Sequence, residues 1–418
     1  MSAPPRLELK HSIPYGRQDI SQADVDAVVE VLRSDWLTQG PAVERFEGRI
    51  ASACGAQHAV AVCNGTAALH LACLALGLGP GDRLWTSPIS FVASANCALY
   101  CGAEADFVDI DPRTYNISVA ALKEKLEVAA RDGRLPKAVV VVHFSGQPCE
   151  MEEIGALART YGFAVIEDAA HALGAEYRGG RIGGCRHSEM TIFSLHPVKI
   201  ITTGEGGVVL TNREDLRTQL ALLRTHGITR DEKQMAGGSE GPWYYEQLDL
   251  GYNYRLTDIQ AALGYSQMQR LEAFLARRRQ LAARYDELLQ GLPVILPWQH
   301  PDGRSARHLY VIRLDPREAT KSRKEVVEQM RASGVQVNVH YIPVHLQPYY
   351  RAKGFKRGDF PCAERYYDNA VSLPLYAALG DEEQDYVVAT LRKILGTSRR
   401  AAGAVPGTAQ RPPHPAGS

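Results

Sequence analysis

From about residue 58 the chain alternates short apolar runs with segments of helical length, and this alternation limits the fold more than any other feature. HAVAVC, RLWTS, EADFVDI, KAVVVVHF, FAVIED, EMTIFS and GGVVLT read as strands, separated by helical segments such as SVAALKEKLEVAARDG and EMEEIGALARTYG. Parallel strands need a crossover of a dozen or more residues, usually a helix, so the pattern predicts βαβ units and a mostly parallel sheet, an α/β fold. After the first run the chain turns at Asn64 and Gly65, and a helix runs to about Leu76 before GLGPGD closes it.

Near residue 266 the texture changes to one long charged helix, QMQRLEAFLARRRQLAARYDELLQGL, with apolar positions at helical spacing. HLYVIRL and VQVNVHYIP follow as strands, and SRKEVVEQMRASG and DEEQDYVVATLRKIL as helices. The expectation is a large domain with an N-terminal arm over 1–265 and a smaller α+β domain over 266–396. The stretch 397–418 lacks periodicity and apolar bulk and reads as a disordered tail.

Lys plus Arg and Asp plus Glu both number 47, so no basic excess exists to hold nucleic acid or an anionic membrane by bulk charge. The expected partner is a small molecule or another protein. No run approaches the ~18 to 20 apolar residues of a membrane span, and the first residues lack a signal-peptide core. A cytoplasmic location is the expectation. Eight cysteines without a CxxC pair read as reduced core residues, with neither a disulfide framework nor a metal site.

In HPVKIITTGEGG, Lys199 is flanked by Ile200 and Ile201 and preceded by Ile192 and Phe193. A lysine there is either an ordinary solvated charge in a turn or an amine held near the interior, where desolvation lowers its pKa and frees a nucleophile. Other segments add possible companions. Gly65, Thr66 and Ala67 open a helix after a strand, which is either an ordinary turn or an anion site of free amides with the Thr66 hydroxyl as a further donor. In FAVIEDAAHALGA, strand alternation lets only one of Glu167 and Asp168 face a ligand at the carboxyl end of the sheet. Asp168 is the candidate, able either to pair with a ring nitrogen or to cap the next helix, and His171 falls on the same side. Phe91 is a stacking ring or a core residue. Ser194, at the end of EMTIFS, can join Thr66 on a phosphate.

A phosphate cup, a stacking ring, an acid for a pyridine nitrogen and a Schiff-base lysine form the set that pyridoxal 5′-phosphate (PLP) enzymes use. The segments NGTAALHLA, TSPISFVASANC, IEDAAHALGAEYRGGRIG, FSLHPVKIITTGEGGVVLTN and LGYNYRLTDIQAALG resemble the DegT/StrS-type sugar aminotransferases, and the resemblance runs from about residue 13 to 395. It implies the aspartate aminotransferase fold, the fold type I architecture of PLP enzymes.

It also implies roles. Lys199 would form the Schiff base with the cofactor and act as acid and base, and Asp168 would keep the ring nitrogen protonated. Gly65, Thr66, Ala67 and Ser194 would hold the phosphate, Phe91 would stack on the ring, and His171 would sit near the ring oxygen. Asn253 would reach into the other subunit's site across a homodimer, and Arg255 would meet the donor's carboxylate or form a structural ion pair. Tyr15, the turn Thr38, Gln39 and Gly40, and His345, Gln347 and Pro348 would contact the sugar nucleotide, while His308 is equally a packed strand residue. Within the family, SDWLTQGP and VNVHYIPVHLQPYYR look most like the transaminases of the pseudaminic acid pathway. That implies L-glutamate and a UDP-linked 4-keto-6-deoxy sugar as substrates. Lys199 stands against a sugar dehydratase of the same fold, in which histidine replaces the lysine, and together with Asp168 against a sensor that has lost catalysis.

Overall fold

The computed structural model describes residues 12–396, so the stretch expected to be a disordered tail, 397–418, lies outside the described residues. Seven strands form the main sheet: β1 (His58–Val62), β2 (Arg83–Thr86), β3 (Glu104–Phe107), β4 (Ala138–Val142), β5 (Ala164–Asp168), β6 (Met190–Ser194) and β7 (Gly207–Thr211). Their order is β1-β7-β6-β5-β4-β2-β3. β7 pairs antiparallel with both β1 and β6, and the remaining pairings are parallel, so six strands run one way. Helices cover both faces, which explains why AVVVV in β4 is buried at every residue and not at alternate ones.

One consequence of this topology positions the site. The carboxyl ends of β1, β5 and β6 lie on one edge, so Asn64 and Gly65, Asp168 and Ser194 converge although more than a hundred residues separate the first from the others.

The expected long helix is two, Asp258–Gln269 and Leu271–Leu288. Arg270 at the break is held by Asp19 at 2.9 Å and by the fully buried Asp24 at 2.6 Å, both from the N-terminal region. The second helix serves both cores. Leu271, Phe274 and Leu275 pack in the large one, whereas Leu281, Ala282, Tyr285 and Leu289 pack with Ile13, Tyr310, Val326 and Val387 in the small one. The small core backs an antiparallel sheet of Val294–Ile295, Tyr310–Leu314 and Ala370–Leu373.

VQVNVHYIP, expected as a strand, makes only two isolated bridges, Ile13 to Val335 and Asn338 to Ser372. Its later residues leave the small sheet to line a cavity, and Pro343 has no N–H to continue a ladder. All eight cysteines are unpaired. Among the described residues no helix is long and apolar enough to cross a membrane.

Candidate active site

A cavity of about 580 Å³ opens at the carboxyl edge of the main sheet, a volume suited to a cofactor-sized ligand. Tyr15, Gly65, Thr66, Phe91, Asp168, His171, Ser194 and Lys199 all line it. These eight expected site residues come from five separate segments.

Lys199 sits in a tight turn after β6, its N–H donating to His196 O at 2.9 Å. The turn is tied back by Thr203 N and Thr202 Oγ1, each donating to Leu195 O at 3.0 Å, with Ile200 and Ile201 buried beneath. Burial lowers the Lys199 ammonium from its ordinary 10.5 to about 8, against the opposing attraction of Asp168. Such an amine is partly deprotonated at neutral pH.

The two carboxylates at the end of β5 separate as strand alternation requires. Glu167 points into the protein, where it meets His143 Nε2 at 2.7 Å and accepts from Ser188 Oγ at 2.5 Å and Thr191 Oγ1 at 3.0 Å. Burial alone would push its carboxyl up, but these partners outweigh burial and hold it below the usual range. Asp168 lines the cavity and accepts from Ser94 Oγ at 2.6 Å and from Ala170 N at 3.2 Å. Ser94 in turn lies 2.5 Å from Ser90 Oγ, so a buried chain of two hydroxyls steadies the carboxylate.

The helix Gly65–Ala75 begins at the cavity wall. Asn64 caps it, accepting from Ala67 N at 2.8 Å. This corrects one expectation: the Ala67 amide is already used, its side chain is buried, and it does not line the cavity. The amides of Gly65 and Thr66 have no acceptor among the described residues. A Cβ on Gly65 would come within 3.0 Å of Ser194 Cβ and 3.3 Å of its Oγ, so the glycine keeps open the space between the helix start and Ser194. Free amides, a helix N-terminus and two hydroxyls around such a cradle fit a phosphate.

Phe91 is 59% exposed on the cavity wall, its ring 6.4 Å from that of Tyr341, which settles its alternative reading against a core residue. His171 is buried and packs against His308 at 4.4 Å. Burial, with Lys199 close by, keeps His171 well below its usual range and therefore neutral. A phosphate cradle, an exposed ring, a buried carboxylate and an amine in one cavity fit a phosphorylated heteroaromatic aldehyde such as PLP.

Other expected residues lie elsewhere. His345 is fully buried, with Nε2 3.0 Å from Glu364 Oε1 and its ring against Phe360, so it is committed to the packing of its own chain. Gln347 and Pro348 start the short helix Pro348–Arg351 outside the cavity. The turn at Thr38, Gln39 and Gly40 is fixed by Asp258, which accepts from Gly40 N at 2.7 Å, and Gln39 takes φ 56°. Asn253 is exposed and bridges Thr225, while Arg255 bridges Val62 and makes no ion pair among the described residues. None of these lines the cavity of its own chain.

The cavity also contains His196 and His308, and residues that sequence reasoning passed over, including Asn338, His340 and Tyr341. His340 and Tyr341 stand in VNVHYIPVHLQPYYR, ahead of the expected contacts His345, Gln347 and Pro348. Ser94 stands in TSPISFVASANC, with no role of its own readable from the sequence.

Fold and site together define a PLP-dependent transferase of the aminotransferase class. Residues 18–392 match the model of the DegT/DnrJ/EryC1/StrS aminotransferase family, and the chain belongs to that family. It is 41% identical over 388 residues to the spore coat polysaccharide biosynthesis protein SpsC of Bacillus subtilis, covering 92% of this chain and 97% of that one. Among solved structures, PseC of Helicobacter pylori, an aminotransferase involved in the biosynthesis of pseudoaminic acid, is 30% identical with a TM-score of 0.83, over 92% of this chain and 99% of that one. Spr1654 of Streptococcus pneumoniae in its PLP form is 28% identical with a TM-score of 0.83, over 92% and 98%.

Proposed function

We propose that the protein transfers the amino group of L-glutamate to C4 of UDP-2-acetamido-2,6-dideoxy-β-L-arabino-hex-4-ulose, giving UDP-4-amino-4,6-dideoxy-N-acetyl-β-L-altrosamine for pseudaminic acid synthesis. The observation that carries the amino-transfer chemistry is the cavity that holds Lys199, with its amine lowered to about 8, together with the Asp168 carboxylate. The choice of sugar is supported by SDWLTQGP, by VNVHYIPVHLQPYYR and by the likeness to PseC.

When bound, PLP supplies an aldehyde that exchanges amines and a ring that takes up an electron pair. Gly65 and Thr66 N–H groups, with the Thr66 and Ser194 hydroxyls, would hold its phosphate. Phe91 would cover one face of the ring, and Asp168 would hold a proton on the ring nitrogen. Lys199 Nζ would hold the aldehyde, and as an amine partly uncharged at neutral pH it would take a proton from the α-carbon of glutamate and deliver one to C4 of the sugar. Tyr15 contacts the sugar nucleotide.

The chain works as a homodimer. The turn at 38–40, Asn253 and Arg255 lie outside their own cavity, and Trp36 and Leu37 beside that turn are 54% and 47% exposed, as suits side chains that reach a partner's site. A second reading has a specific basis: the 41% identity to SpsC favours another keto sugar, at C4 or C3, destined for a surface polysaccharide.

The test is the visible spectrum of the PLP-loaded protein before and after L-glutamate, then after UDP-linked 4-keto sugars that differ at C5. Conversion by glutamate that is reversed only by the L-arabino sugar supports the proposal. Reversal by neither sugar leaves the amino transfer and refutes the substrate. No response to glutamate refutes the donor.

A further inference from the structure

Hydrogen bonds around His171 set a direction that ends in the cavity. Ser145 adopts φ 61°, an uncommon conformation for a residue with a Cβ, and is held in it from two sides. Its hydroxyl donates to Leu309 O at 2.7 Å, and its carbonyl accepts from His308 N at 3.1 Å. So placed, Ser145 donates its N–H to His171 Nδ1 at 3.3 Å. A ring nitrogen that accepts a hydrogen bond carries no proton, so the neutral ring has its proton on Nε2. Nε2 lies 3.1 Å from Tyr341 Oη and therefore donates to it. His308, packed 4.4 Å from the His171 ring, leaves little room for that ring to turn over. Tyr341 thus accepts a hydrogen bond from one side, and its own O–H has no acceptor among the described residues, while its side chain lines the cavity with Lys199 and Asp168.

We infer that Tyr341 donates a hydrogen bond to an electron-rich oxygen of the bound ligand, oriented by the series Ser145 N–H, His171 and Tyr341 O–H. The oxygen has one chemistry and two sources, the ring oxygen of the cofactor or the carbonyl oxygen of the substrate. Either assignment rests on the aminotransferase reading above. A donor aligned in advance polarises such an oxygen without reorganising during the reaction, and each hydrogen bond in the series strengthens the next.

The experiment compares Tyr341→Phe in three backgrounds: the native enzyme, His171→Gln and His171→Leu. Glutamine can accept from Ser145 N–H and donate to Tyr341, whereas leucine can do neither. The first readouts need no turnover: the Kd for PLP and the position of its visible band. The second are kcat and KM for L-glutamate and for the keto sugar, measured separately.

If the oxygen is the cofactor's, Tyr341→Phe shifts the band or weakens PLP by about tenfold or more. If it is the substrate's, those readouts hold steady and kcat/KM for the keto sugar falls by about 10- to 100-fold. In both cases the loss persists in the glutamine background and vanishes in the leucine background, the coupling a shared hydrogen-bond series requires. Changes within about twofold throughout, or equal losses in both backgrounds, overturn the inference. If the native enzyme transfers no amine, the aminotransferase reading fails and the cofactor readouts alone decide; an unchanged band and affinity then overturn the role of Tyr341.

Discussion

Replacing Lys199 with Met should stabilise the cofactor-free protein, and by an amount that depends on pH. The ammonium falls from 10.5 in the unfolded chain to about 8 in the fold, chiefly through burial. At about 1.4 kcal/mol per pH unit, that lowering amounts to about 3 kcal/mol of cost for keeping the charged form in the folded state. The cost is complete below pH 8, where both states hold the proton. Between 8 and 10.5 the unfolded chain keeps its proton while the folded one releases it, so the cost shrinks as pH rises. Methionine has similar length and no charge, and it suits the apolar flank of Ile200 and Ile201. The expected gain is up to about 3 kcal/mol near pH 6.5 and below about 0.5 kcal/mol near pH 10.5. Urea unfolding of native and variant protein at both pH values, without cofactor, reads it directly. An equal difference at both pH values, or a variant less stable at pH 6.5, would refute the reasoning. The same lowering has a chemical benefit: about a quarter of the amines are uncharged at pH 7.5, against about one in a thousand for an ordinary lysine.

Two further outcomes test the remaining parts of the site. Asp168→Asn should keep PLP but lose turnover by about a hundredfold or more, because an amide cannot hold the ring nitrogen's proton as a carboxylate does; near-native kcat would remove the assigned role. Gly65→Ala should weaken PLP about tenfold with the far-UV spectrum unchanged, since its Cβ would come within 3.0 Å of Ser194 Cβ and force that side chain to move. Native affinity in a titration of the apoprotein would show that the phosphate sits elsewhere.

Much of this was legible in the sequence because it followed from local chemistry. Seven strand candidates became the seven strands of the main sheet, since β-rich runs between helical segments have few other ways to bury themselves. The lysine ahead of two isoleucines lines the cavity, and Glu167 and Asp168 face opposite sides as strand alternation implied. What stayed hidden depends on contacts remote in sequence. The break at Arg270 is made by Asp19 and Asp24, some 250 positions away, so a continuous amphipathic pattern conceals it. His345 looks like an available polar residue until Glu364 and Phe360 are seen to enclose it. Tyr341 enters the cavity only because the stretch from Val335 onward leaves the small sheet after two bridges, an outcome with no periodic signature.

The pair at the end of β5 shows how the fold divides labour between chemically similar neighbours. One peptide bond separates Glu167 from Asp168, yet alternation sends them to opposite faces of the same strand. On one face Glu167 meets a histidine and two hydroxyls and is spent on holding β5, β6 and the start of the 144–147 turn in place, through His143, Thr191 and Ser188. His143 Nδ1 then accepts from Cys149 N at 3.0 Å, which ties down the chain on the far side of that turn. Ser145 lies within the turn, and its unusual φ is what aims an amide at His171. The buried glutamate therefore supports, through the turn, the same cavity that its neighbour enters directly. A carboxylate with no access to ligand thereby helps set the geometry in which Asp168, His171 and Tyr341 meet one.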